Sequence, residues 1–273
     1  EKGQWIFNTS SMDLDTTKSD EEDIPGPVRD FVNRIKASKD VWGIYDDNHF
    51  GFSQDDVGNH IIRIGNYEVG SETDAAFCTF QVPTIGWYLL FVEIQILVED
   101  PDHPRKEQPS FYVGIENNGK PEPCTEFFDY ASPAVFNRHG GCEKFRSRSG
   151  APLYQSRWIP IVLDLGKFVG QTLTIRLRAN DCRQGAHFAA MFAQARVVPA
   201  KLTVDWCPGE SEAIVKAPKG FVTYCWSTGQ TGQTIVIKNP KPGMTISCKA
   251  LSVSNCPAYF QTKLKAKEPY PFY

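Results

Sequence analysis

From residue 60 onward the chain repeats a two-residue alternation that few folds accommodate. Cys78, Phe80 and Val82 alternate with Phe77, Thr79 and Gln81, and Leu173, Ile175 and Leu177 alternate with Thr174, Arg176 and Arg178. Successive strand side chains point to opposite faces, so each run has one face to bury and needs a second layer against it. Runs rich in β-branched and aromatic residues also occupy 60–67, 86–99, 110–116, 158–165 and 187–198. Turn signals separate them, among them Asn117-Asn118-Gly119 and Gly170-Gln171. Seven or more strands over so short a stretch predict a two-sheet sandwich or jelly roll.

The flanking segments read differently. Asp20-Glu21-Glu22-Asp23 is a solvated charge run in an irregular acidic N-terminal segment. Pro27 opens a short amphipathic helix with Val28, Phe31, Val32 and Ile35 on one face. Asp30 sits early and Lys36 and Lys39 late, which suits the helix dipole. Val197-Val198-Pro199-Ala200 reads as a boundary, because the charge reverses beyond it: 200–273 holds nine lysines against four acidic residues, and the remainder carries a net −8. Short strands follow at 212–216, 222–226, 233–238, 244–251 and 259–265. Trp226, between two cysteine-bearing strands, points to immunoglobulin-like packing. The expectation is an all-β chain, with a jelly-roll-like sandwich over 1–199 and a small immunoglobulin-like sandwich over 200–273.

Eight cysteines at wide spacing, none in a CxxC pair, argue for disulfides in an oxidising compartment over a zinc ribbon or thioredoxin-type site. Free buried thiols acting as small hydrophobes are the alternative. The expected staples of the small second domain are Cys207–Cys256 and Cys225–Cys248, and the expected pairs of the first are Cys124–Cys142 and Cys78–Cys182. The apolar runs at 87–92 and 188–193 fall far short of the ~20 residues of a transmembrane helix. No basic-then-apolar leader opens the chain, so the expectation is an extracellular or outer-surface protein whose signal peptide has been removed. A net charge of −3 gives no argument for a nucleic-acid partner.

Glu99-Asp100-Pro101-Asp102-His103-Pro104 makes an oxygen-rich corner at the end of a long strand. Hard cations such as Ca²⁺ take about six to eight oxygen ligands, which loops at a sandwich end can supply. Asp100, Asp102 and Asp181 are therefore the candidate metal ligands, and Ca²⁺ the candidate cofactor. A solvated turn capped by its own Asp side chains is the plainer alternative. His187, opening the last long strand, is a candidate ligand contact. For glycan binding the candidates are Trp42, Tyr45, Tyr67, Phe127, Phe128 and Tyr130, with Asp46 and Asp47 making the 42–47 loop the most lectin-like stretch. Arg146, Arg148 and Arg157 are candidates for meeting an acidic glycan. No GxSxG elbow, HExxH, P-loop or GxGxxG occurs, and no carboxylate pair stands out for glycoside hydrolysis.

Several segments carry a family resemblance. They are Ile61-Ile62-Arg63-Ile64-Gly65-Asn66, Val98 through Pro104, Glu107-Gln108-Pro109-Ser110-Phe111, Val162-Leu163-Asp164-Leu165 and Asp181-Cys182-Arg183-Gln184-Gly185-Ala186-His187-Phe188. In this order they resemble the jelly-roll-like module of bacteroidete secreted adhesins and gliding-motility-associated surface proteins. Ala217-Pro218-Lys219-Gly220-Phe221 through Tyr224-Cys225-Trp226-Ser227-Thr228-Gly229 resembles the PKD-like repeats that follow that module. The family more often has glycine where Ala186 and Ala189 stand, and a residue other than cysteine at Cys225. The resemblance implies an exported multi-domain surface protein with further repeats. The expected function is non-enzymatic: binding of a glycan or other surface ligand through the sandwich loops, with the second domain as a spacer. A carbohydrate-binding module of a polysaccharide-degrading enzyme is the first rival. A hydrolase with its site in the 99–107 and 181–187 loops is the second.

Overall fold

The computed structural model describes residues 62–66, 69–123, 125–138, 150–207 and 209–265, and the backbone of 4–11 and 142–146. It is an all-β sandwich architecture. Twelve strands come first: β1 (Gln4–Ser11), β2 (Ile62–Ile64), β3 (Glu72–Gln81), β4 (Tyr88–Glu99), β5 (Ser110–Asn117), β6 (Lys120–Pro121), β7 (Phe127–Tyr130), β8 (Cys142–Arg146), β9 (Pro152–Gln155), β10 (Ile159–Asp164), β11 (Thr172–Asn180) and β12 (Ala189–Pro199). A short helix, α1 (Pro133–Arg138), follows β7. One sheet has the order β1-β3-β11-β5-β6 with β7 also paired to β5; the other has the order β2-β12-β4-β9-β8 with β10 paired to β4. The alternation of β11 is realised: Leu173, Ile175 and Leu177 are buried, while Thr174, Arg176 and Arg178 are partly exposed. The β5–β6 hairpin closes through Asn118 and Gly119, both at positive φ, the two-residue turn that matches strand twist. Segment 28–36, where a helix is expected, lies outside the described residues.

The chain condenses into two compact units. The first takes the described residues up to Val82 with Val92–Ile159 and Gly170–Ala195; the second takes Pro83–Phe91, Pro160–Val169 and the chain from Arg196. The division therefore does not fall at one point near residue 199. Leu89, Phe91 and Val162 join the second core beside Trp206, Val215, Trp226, Ile246 and Phe260, which draws their segments away from the first unit.

From residue 200 on, the second unit holds β13 (Thr203–Asp205), β14 (Glu212–Lys216), β15 (Thr223–Trp226), β16 (Thr234–Lys238), β17 (Thr245–Leu251) and β18 (Pro257–Lys263). They form two three-stranded sheets, β13-β14-β16 and β15-β17-β18. Tyr224 fixes the start of β15: its hydroxyl donates to the Pro218 carbonyl at 3.0 Å and accepts from the Phe221 N–H at 3.3 Å.

The expected staples do not form. Cys78, Cys182, Cys207, Cys225 and Cys248 are free thiols. Antiparallel register sets Cys225 opposite Lys249 and Trp226 opposite Cys248, so the Cys225 thiol faces solvent and the Cys248 thiol faces the core. A sheet with period two cannot bridge them. Cys207 is exposed and is not joined to Cys256. Cys78 lies opposite Ile175, whereas Cys182 follows Asn180, the partner of Thr73. Five strand residues are about 16 Å, beyond the ~7 Å Cα separation a disulfide spans. The Cys124–Cys142 pair falls on Cys124 and on the Cys142 side chain, outside the description.

Candidate functional site

Two crossings between the sheets meet at one end of the first unit. β4 and β11 both end there, and β5 and β12 both start there, so segments 100–109 and 181–188 lie side by side. Backbone bonds fasten them. The Arg183 N–H donates to the Glu107 carbonyl at 3.2 Å, and the Glu99 N–H to the Phe188 carbonyl at 3.3 Å. Buried Glu99 returns the contact, its Oε2 accepting from the Phe188 N–H at 3.1 Å. Gln184 Nε2 donates to Glu107 Oε2 at 2.7 Å. Leu97, Leu153, Phe188 and Phe192 form a small apolar cluster, so the second loop is itself anchored in the core through Phe188.

At this junction His103, Cys182 and His187 converge, with ligand atoms all within 4.8 Å of one another. The imidazole rings of His103 and His187 meet edge to face at 5.2 Å between centroids. Cys182 Sγ lies 3.3 Å from His187 Nδ1 and also accepts from the Ala186 N–H at 3.4 Å. The segment between them is a closed turn: the Gly185 N–H donates to the Cys182 carbonyl and the Cys182 N–H to the His187 carbonyl, both at 3.1 Å. Burial pushes the His187 imidazole below its usual range, the Glu99 carboxylate opposes that shift, and His103 adds to it.

The carboxylates expected to hold Ca²⁺ make specific contacts in the turns. Asp100 is buried, and its Oδ1 accepts from Gln108 Nε2 at 2.8 Å and from the Asp102 N–H at 3.1 Å. Asp102 is exposed in the left-handed region, φ 56°. Asp181 is buried, accepting from the Ala189 N–H at 2.8 Å and the Glu72 N–H at 3.4 Å. Burial raises its pKa to about 7, against those two backbone bonds and with help from Asp74 and Glu72. Among the described residues Asp100, Asp102 and Asp181 make no cluster of ligand atoms comparable with His103–Cys182–His187. Asp100 and Asp181 serve as backbone anchors of the turns.

A second feature lies on the outer face of the β3-β11-β5-β7 sheet. Register places Tyr112 between Arg178 and Phe128, and residues directly opposite share a face. The Tyr112 ring lies across Gly114, whose missing side chain leaves room for it. Its hydroxyl donates to Glu126 Oε1 at 2.9 Å, and the Arg178 guanidinium stands 5.4 Å from its centroid. Phe128 is 50% exposed beside it, and Arg105 covers the half-buried Tyr130 at 4.7 Å. Of the aromatic candidates from sequence, Phe128 and Tyr130 are on this face and Phe127 is buried against Phe111. Tyr112 is not among those candidates, although a tyrosine two residues from a glycine on an outward-facing strand is a visible signal. Trp42, Tyr45, Asp46, Asp47, Tyr67, Arg146 and Arg148 lie outside the described side chains. Arg157 is exposed at a loop before β10.

The second unit has a basic cleft of about 370 Å³, lined by Arg196, Lys201, Lys216 and Lys219 around Phe91. Arg196 lies 4.4 Å and Lys219 5.7 Å from the Phe91 centroid.

No family model matches the chain, and no curated protein matches it. Solved structures give distant likenesses. A β-1,2-glucanase from Parabacteroides distasonis is 9% identical with a TM-score of 0.24, over 83% of this chain and 36% of that one. The adhesin domain of Epf from Streptococcus pyogenes is 9% identical with a TM-score of 0.23, over 98% and 93%. A β-glucuronidase of glycoside hydrolase family 2 is 11% identical with a TM-score of 0.26, over 98% and 30%. This chain spans about a third of the glucanase's length. Likenesses this distant carry no argument for function. No helix among the described residues is long and apolar enough to cross a membrane.

Proposed function

We propose that the first unit is a non-enzymatic glycan-recognition module of an exported or surface protein, and that the second unit is a spacer. The observation that carries this is the aromatic face: Tyr112 over Gly114 with exposed Phe128 beside it, Arg178 over the Tyr112 ring and Arg105 over the Tyr130 ring. The exposed Phe128 ring offers its π-face to the apolar C–H side of a sugar, and adjacent cations and carboxylates meet the sugar's hydroxyls. Glu126, exposed and already holding the Tyr112 hydroxyl, is the acceptor at the rim. The exported setting is supported by the resemblance to secreted adhesins; five of the described cysteines are free thiols.

A glycan array probed with the intact chain tests the reading, followed by calorimetric titration of the best glycan. Binding that is lost in a Tyr112→Ala/Phe128→Ala double variant supports it. Binding that survives in that variant, or none to any glycan, overturns it. Release of reducing ends from the bound glycan overturns its non-enzymatic part.

A further inference from the structure

We propose that His103, Cys182 and His187 form a binding site for a late first-row divalent metal ion, Zn²⁺ in the first instance, with one coordination position open. The site is independent of the aromatic face, and neither reading depends on the other. Three observations carry it.

Two imidazoles and a thiol have ligand atoms within 4.8 Å of one another, contributed by two loops that backbone bonds lock together. Ligands about 2.0–2.3 Å from a tetrahedral zinc stand roughly 3.3–3.8 Å apart, and Cys182 Sγ and His187 Nδ1 are separated by 3.3 Å. Next, His103 Nδ1 is buried without a hydrogen-bond partner among the described residues, in a ring that faces His187. A buried ring nitrogen left unpaired has a cost that coordination removes. Third, the Ala186 N–H already points at Cys182 Sγ, an outer-shell donor of the kind that stabilises a bound thiolate.

Ligand chemistry selects the ion. Thiolate and imidazole suit Zn²⁺ and its neighbours, whereas Ca²⁺ requires oxygen. A thiol nucleophile is a poorer account of the same atoms, because Cys182 is 0% exposed and no substrate carbonyl reaches it. His103 and His187, the other two ligands, are only half-buried. On binding, the Cys182 S–H bond breaks, a sulfur–metal bond forms, and the proton leaves to the buffer. Three protein ligands leave the fourth position to water or to a donor group on a partner.

The test uses the intact chain, reduced and stripped of metal, in a Cys207→Ser/Cys225→Ser background that removes the exposed thiols among the described residues. Titration with Co²⁺ is expected to give saturable thiolate-to-cobalt charge-transfer absorption and tetrahedral visible bands at one ion per chain. Zn²⁺ is expected to abolish both. Cys182→Ser should lose the charge-transfer band. His103→Gln and His187→Gln should each weaken binding by at least about tenfold, the loss that removing even an outer-shell partner causes. His103 lies in a half-buried loop position, so its variant reports on the site even where Cys182→Ser perturbs folding. Absence of the bands in the folded parent overturns the proposal, as does unchanged affinity in both histidine variants.

Discussion

The Tyr112 ring lies over Gly114, and a methyl group added at that glycine would stand 2.1 Å from the phenol oxygen. Gly114 is not at positive φ, so alanine fits the backbone there and the ring is what moves. Gly114→Ala is expected to weaken glycan binding by at least about tenfold, ~1.4 kcal/mol, with little change in melting temperature. Calorimetric titration beside a thermal melt checks this. Full affinity in the variant detaches the ring's posture from recognition.

Stacking and hydrogen bonding at the same residue separate by a conservative change. Tyr112→Phe keeps the ring and loses only the bond to Glu126, so it should bind far better than Tyr112→Ala. Equal losses in the two variants would place the energy in the hydroxyl instead of the ring face.

Burial and the Glu126 hydrogen bond push the Tyr112 phenol up to about 12. The unfolded phenol ionises near its usual value of about 10. The resulting stabilisation is fully present below the unfolded value and is lost as pH rises through the folded one. Ultraviolet titration of phenolate should show one group ionising at about 12 that Tyr112→Phe removes. A superimposable curve for the variant contradicts this.

Thiol reactivity should divide in two. Cys207 and Cys225 are exposed and should be alkylated in the native chain. Cys78 and Cys248 are buried, which raises their thiols to about 12 and about 11, and they should react only after denaturation. Peptide mass mapping before and after denaturant reads both sets. Protection of Cys207 and Cys225 after denaturation without reductant would show them to be oxidised.

Phe260 anchors the second core, 1% exposed, stacked on Trp87 at 5.9 Å and edge-on to Phe221 at 5.7 Å. Phe260→Ala leaves a cavity that surrounding strands fill incompletely, so a loss of about 3–5 kcal/mol is expected. Urea unfolding monitored by tryptophan fluorescence measures it. A loss below about 1 kcal/mol would mean that the site collapses around the missing ring.

The amino-acid sequence determined the class of fold and several of its parts. A period of two over β11 fixes which side chains are buried whatever strand lies alongside, because alternation is a property of the single strand; β3 departs from its alternation, with Ala75, Ala76, Phe77 and Cys78 all buried. Asn118-Gly119 determined a tight hairpin for the same local reason, since both residues accept positive φ. β1, β7 and β9 lack so clear a pattern and take their place through pairing with β3, β5 and β4.

What depends on pairing was decided by the tertiary structure. Cys225 and Cys248 look like a staple in the linear chain, yet a register one residue out of step sends their thiols to opposite faces. Asp100 and Asp181 read as cation ligands in the linear chain, and the fold shows which backbone N–H groups their carboxylates also accept from. His103 and Cys182 stand far apart in sequence and meet only because β4 and β11 end at the same edge of the sandwich. Local pattern sets which way a side chain points, but strand order and register set what it meets.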